Sequence, residues 1–103
     1  LAITTRERHP SWADLPTMAE QGAAGYSTQT WSALVAPAGT PPAIVQRLNT
    51  EGRRFAQSPR ERERIVTQGG VVMDLSPQQF REFLQTEITA WGEVIRAGNI
   101  RVE

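Results

Sequence analysis

Cysteine and lysine are both missing from this chain, and histidine occurs once, at position 9. Without cysteine there is no disulfide framework, no thiolate zinc site and no thiol nucleophile, and its absence selects no compartment. A single histidine with no cysteine also leaves a transition-metal site short of ligands. A carboxylate-only calcium loop needs Asp or Asn at alternating positions around a glycine, a pattern the chain does not contain. No metal and no cofactor are expected.

Excess charge is missing too. Eleven arginines balance eleven acidic residues, for a formal net charge of zero. No strong field therefore draws the chain to nucleic acid or to an anionic membrane, and no nucleic-acid partner is expected. No apolar run approaches the roughly 18 residues of a membrane helix, and no basic, apolar, small-residue leader is present. The 103 residues match one small domain, which at that size buries only about two-thirds of its unfolded surface. The opening at Leu1 rather than methionine gives the expectation of a piece of something longer.

The most informative stretch is Trp31 to Pro41, WSALVAPAGTP. Trp31, Ala33, Leu34, Val35 and Ala36 have too few polar neighbours for an exposed strand, so this run is expected to be a strand covered on both faces. Pro37, Gly39, Pro41 and Pro42 stop it. Thr40 can cap the following helix and Pro41 suits its first position, where a missing N–H costs nothing.

In chain order, Leu1 to Thr5 (LAITT) reads as a β-branched strand, and Arg6 to Leu15 as a charged surface loop holding a lone surface histidine, His9. Thr17 and Glu20 have capping-box spacing and Gly22 can end the helix, which predicts one or two turns. From Pro41 to about Gln57, Ile44, Val45, Leu48 and Phe55 share a helical face, weakened by Gly52 at about 1 kcal/mol relative to alanine. Ser58 and Pro59 open a charged helix that buries Ile65 and Val66 and ends at Gly69-Gly70. Val71 to Leu75 (VVMDL) is a third short strand. Ser76-Pro77, with Gln79 in the capping-box position, start a last helix. Its stripe of Phe80, Phe83, Leu84, Ile88, Trp91, Val94 and Ile95 runs up to Gly98. Three short strands among helices make this an α/β chain.

Catalytic chemistry finds no constellation. His9 has no motif to choose a serine for it, and no acid–base carboxylate pair stands out. Gly69-Gly70 follows a helix and precedes a strand, the reverse of a phosphate loop. Arg60, Arg62 and Arg64 alternate with Glu61 and Glu63, as on a salt-bridged solvent face.

The sequence LAITT, DLPTMAEQG, GY, WSALVAPAGTP, RLN, the Gly69-Gly70 turn, SPQQF and EITAWGEVIRAGNI, in that order and spacing, resembles the C-terminal third of the Bug-type substrate-binding proteins of tripartite tricarboxylate transporters. The resemblance covers nearly the whole chain. It implies a fragment of a two-lobe periplasmic-binding-protein fold of type II, a "Venus flytrap" that is not an enzyme. Such a protein binds small carboxylates between its lobes and passes them to integral-membrane transporter subunits. It would be periplasmic, with a signal peptide upstream of Leu1. On this pattern residues 1–30 end the second lobe, 31–37 are a hinge strand containing Trp31, Ala33 and Pro37, and 38–103 are the C-terminal part of the first lobe. Ala33 stands where the family usually has glycine. Two half-lobes cannot bury their cores separately, so the N-terminal remainder or another chain is expected to complete the fold.

A carboxylate can be held without a cation by backbone N–H groups at helix starts. Ligands in open α/β sheets sit beyond the carboxyl ends of parallel strands, which points to Thr4 and Thr5, with Thr17 at the short-helix start as third candidate. Each has a plainer role. Thr4 and Thr5 suit an ordinary strand, Thr17 and Glu20 a helix cap, Asp14 a turn, Trp31 hinge or core packing and Trp91 the core. An alternative function is a small interaction or oligomerisation module that packs the Phe80 to Ile95 stripe against another chain.

Overall fold

A computed structural model describes residues 1–101. Its regular elements are a 3-10 turn at Pro10–Trp12 and three helices, α1 (Pro42–Ala56), α2 (Pro59–Thr67) and α3 (Pro77–Ala97).

Each helix starts on a proline. In α1 the Val45 N–H reaches the Pro41 carbonyl, so Pro41 takes the cap position and Pro42 the first helical one, a residue later than the Thr40 cap implies. α2 starts on Pro59, with Glu61 in its first turn and Arg64 in its last, each matched in sign to the helix dipole. α3 carries a complete capping box. The Gln79 N–H donates to the Ser76 hydroxyl at 3.2 Å, and the Ser76 N–H to Gln79 Oε1 at 2.9 Å.

The ends of α2 and α3 share one device. After α2 the Gly70 N–H returns to the Ile65 carbonyl at 2.8 Å and the Gly69 N–H to Val66 at 2.9 Å, with Gly69 left-handed at φ 81°. This is a Schellman ending, which satisfies carbonyls that the helix would otherwise leave open. α3 closes the same way, with Asn99 at φ 48° and the Ile100 N–H bonded to Ile95.

The three expected strands do not form. Among the described residues the only β pairing is one parallel bridge between Ile3 and Thr17, and residues 31–36 and 71–75 belong to no ladder. A strand exists through its neighbour's hydrogen bonds, and these segments meet no neighbouring strand here. The run after Trp31 is not covered on both faces either, since Leu34 is 80% and Val35 74% exposed. Trp91, expected in the core, is 48% exposed, and Ile65 and Val66 are only half-buried. No described hydrophobic side chain is fully buried.

Contacts gather the chain into two units. One combines Leu1–Ala38 with Ala56–Val72, and so holds the 3-10 turn and α2. The other combines Gly39–Phe55 with the stretch from Met73 onward, and so holds most of α1 and all of α3. Inside this second unit, Asn49 Nδ2 donates to the Leu75 carbonyl at 3.0 Å and Arg53 pairs with Asp74. One helix, four residues apart, thus holds two consecutive residues before α3. The Arg53 guanidinium is pushed further up by its bond to Asp74. Phe80, Phe83 and Leu84 at the start of α3 are half-buried, whereas Ile88, Trp91, Val94 and Ile95 lie open.

Candidate functional site

The three candidate threonines all lie in the first unit. The Ile3 N–H donates to Pro16 at 2.8 Å and the Met18 N–H to Ile3 at 2.9 Å, so the bridge lays residues 3–5 beside the start of the next turn. That turn is a single helical one. Thr17 caps it, accepting from the Glu20 N–H at 3.2 Å, while Glu20 accepts from the Thr17 N–H at 2.7 Å. At the far end the Ala23 N–H returns to Met18 and the Gly22 N–H to Ala19, with Gly22 at φ 102°. A segment too short to be stable alone is thereby closed at both ends.

Glu20 has a second partner. Arg8 clamps its carboxylate with bonds of 2.9 to 3.1 Å and spends another N–H on the Ala13 carbonyl at 3.0 Å. The Arg8 bonds, followed by the Thr17 N–H, pull the Glu20 carboxyl down to about 2, and Glu20 in turn raises the Arg8 guanidinium. The clamp consumes the charge on both side chains. Arg8, the cation bonded to the capped turn, is therefore matched rather than offered to an anion.

Among the threonines, availability differs. Thr17 is 2% exposed and occupied with its cap. The half-buried Thr5 donates its hydroxyl to the Glu7 carbonyl at 2.7 Å. Thr4 is exposed; its carbonyl accepts from the Thr28 N–H at 2.9 Å, and its hydroxyl is bonded to no described group. Of the hinge candidates, Trp31 is half-buried while Ala33 and Pro37 are exposed.

His9 corrects the sequence reading outright. It is 5% exposed, not a surface histidine. Its Nδ1 accepts the Ser11 N–H at 3.1 Å and caps the 3-10 turn, its ring lies 4.8 Å from that of Trp12, and Nε2 is 3.4 Å from the Gly70 carbonyl oxygen. The signal was present in the sequence, because His9-Pro10 repeats the cap-then-proline pattern of Ser58-Pro59 and Ser76-Pro77.

Among the described residues, no group of three or more His, Cys, Asp or Glu side chains could hold a metal ion, and no helix is long and apolar enough to cross a membrane. The site offers neutral donors and a self-neutralised ion pair. Such a surface can orient an anion but contains no nucleophile poised against a base.

Comparison with known proteins decides the family. Residues 1–100 match the tripartite tricarboxylate transporter family receptor. The chain belongs to that family. BugT of Bordetella pertussis strain Tohama I is 35% identical over 96 residues, covering 93% of this chain and 29% of its own length. A UPF0065 protein from the tcbD-tcbE intergenic region of Pseudomonas sp. strain P51 is 31% identical over 96 residues, with 92% and 29% covered. The solved structure of R. palustris Rpa4515 with adipate superposes with a TM-score of 0.82 at 37% identity, over 97% of this chain and 33% of its own. The chain thus spans about a third or less of the receptors it matches. Members of this receptor family are binding proteins rather than enzymes.

Proposed function

We propose that this chain is the C-terminal third of an extracytoplasmic solute-binding protein, one that takes a small carboxylate in a cleft between two lobes for uptake by a tripartite tricarboxylate transporter. The reading is carried by the match of nearly the whole chain to the receptor family, and the choice of ligand class is supported by the adipate that accompanies the R. palustris protein. Residues 1–30 end the second lobe of a type II flytrap, residues 31–37 form the hinge with Trp31, Ala33 and Pro37, and the rest completes the first lobe. The protein works in the periplasm, directed there by a signal peptide upstream of Leu1, and hands its ligand to the integral-membrane subunits.

Within this scheme Thr4 is the direct contact, because its hydroxyl is exposed and uncommitted. Thr5 and Thr17 stand beside it on the second-lobe wall, and their own hydrogen bonds hold that wall in shape. Neutral hydroxyl and backbone donors suffice for a carboxylate when the cleft excludes water. The opposite wall and the remaining donors come from the N-terminal part of the receptor. That part also covers the open half of α3 and supplies the strands that residues 31–36 and 71–75 lack.

Calorimetric titration of the intact protein with adipate, succinate and citrate tests this. At least one is expected to bind and to raise the melting temperature by mass action, with Thr4→Val weakening it and leaving the ligand-free melting temperature in place. Failure of a broad carboxylate panel to shift the melting temperature would overturn the reading. The exposed Ile88, Trp91, Val94 and Ile95 favour a second one, an oligomerisation module paired through α3, which a concentration-dependent elution volume would support.

A further inference from the structure

Arg8 ties together separate places along the first unit. Its Nε donates to both Glu20 oxygens, at 3.1 and 3.0 Å, its Nη2 to Glu20 Oε1 at 2.9 Å, and its Nη1 to the Ala13 carbonyl at 3.0 Å. The two side chains are 44% and 45% exposed, and ion pairs this open to water contribute little to stability. So many directed bonds around one exposed carboxylate fix geometry more than they hold the fold together.

What they fix leads, bond by bond, to Thr4. Glu20 accepts the Thr17 N–H at 2.7 Å and Thr17 Oγ1 accepts the Glu20 N–H at 3.2 Å, so the place of the carboxylate sets the start of the turn. On either side of Thr17 in sequence, the Pro16 carbonyl accepts from the Ile3 N–H at 2.8 Å and the Met18 N–H donates to the Ile3 carbonyl at 2.9 Å. Both backbone groups of Ile3 are thus committed to the capped turn. Thr4 is the next residue, and its carbonyl accepts from the Thr28 N–H at 2.9 Å.

We propose that Arg8 is the positioning residue of the ligand wall, setting through Glu20, Thr17 and Ile3 where the exposed Thr4 hydroxyl stands. The inference rests on the receptor reading and on Thr4 as its direct contact. Arg8 itself does not take the ligand. Its fork is filled by Glu20 and Ala13, and Asp14 adds a second negative charge acting on the guanidinium. A bound anion gains from Arg8 only the placement of a neutral donor, whose worth depends on distance and angle. Lysine cannot substitute, since an ammonium has the charge but not the planar fork that meets Glu20 and Ala13 together.

A double-mutant cycle on the intact receptor tests this, with adipate affinity from calorimetric titration as the readout. Arg8→Lys and Glu20→Gln are each expected to weaken adipate by about fivefold, the scale on which neighbouring residues couple. On a Thr4→Val background neither should weaken it further, because the hydroxyl they place is gone. Both variants should remain folded by circular dichroism. Additive losses would mean that Arg8 acts elsewhere than through Thr4, and overturn the proposal. Unchanged affinity in either single variant, or a Thr4→Val that binds adipate normally, overturns it as well. Tighter adipate binding in Glu20→Gln would show the freed guanidinium meeting the anion itself, which also overturns it. Loss of the folded signal in both would make the clamp a folding element and end its positioning role. In each of these cases an unmodified protein that still binds adipate keeps the receptor reading. If the unmodified protein is folded and binds none of adipate, succinate and citrate, the receptor reading fails, and this inference fails with it.

Discussion

Two glycines of this chain should respond to the same substitution with opposite signs. Gly52 lies inside α1, and an added Cβ would have no other group within 4 Å. Gly52→Ala then removes only the backbone entropy penalty of glycine in a helix, a gain of about 1 kcal/mol. Gly69 ends α2 at φ 81°, and its added Cβ would meet Trp12 Cη2 at 3.0 Å and Cζ3 at 3.4 Å. A left-handed alanine costs about 1 to 2 kcal/mol, and the ring must also give way by some tenths of an ångström. The two variants should differ by roughly 2 to 3 kcal/mol, or some 10 to 20 °C in melting temperature for a domain of this size. Urea and thermal unfolding followed by circular dichroism, on both variants side by side, provide the measurement. A destabilising Gly52→Ala would refute the open space around α1, and a neutral Gly69→Ala would refute the left-handed turn beneath Trp12. The double variant Gly69→Ala/Trp12→Ala separates the causes, since removing the ring relieves the contact but not the backbone strain.

Three further outcomes are expected. Glu20 is held at about 2 against an ordinary 4.5, so its interactions stabilise the native chain above pH 4.5. Their contribution falls as acid protonates the unfolded state first, and is gone below about 2; urea midpoints between pH 7 and pH 2.5 should fall less steeply in Glu20→Gln than in the unmodified chain. Ser76→Ala removes one half of the α3 capping box and should cost about 1 kcal/mol, read as faster amide exchange in the first turn of α3. Asn49→Ala deletes the bond to the Leu75 carbonyl and should lower stability by about 1 kcal/mol, with the loss of protection concentrated around residues 73–76.

Local chemistry made the helices legible. Ser58-Pro59, Ser76-Pro77 with Gln79, and Gly69-Gly70 each satisfy or terminate backbone hydrogen bonding within a few residues, so the information lies where the structure forms. Thr17 and Glu20 likewise announced their box, and the structure closes it. The strands were a different matter. Residues 31–36 and 71–75 have the apolar composition of strands, but pairing needs a neighbour, and composition does not say whether the neighbour lies among these residues. Trp91 fails as a core residue for the same reason, because helical periodicity marks a face and not what covers it. His9 was missed through its company in the sequence. Charged residues and a proline surround it, and its burial depends on Gly70, a residue that no local window contains. Thr4 and Thr5 were legible as a strand end and Thr17 as a helix start, while the link between the two segments, one bridge from Ile3 to Thr17, was not.

The contact between His9 and Gly70 also orders the events of folding. Helices need only neighbours and form within about a microsecond, whereas closing a chain of 61 residues costs roughly 3 to 4 kcal/mol of loop entropy. One hydrogen bond returns about 1 kcal/mol of that. The ring therefore closes late, after α2 already displays its finished end as a platform.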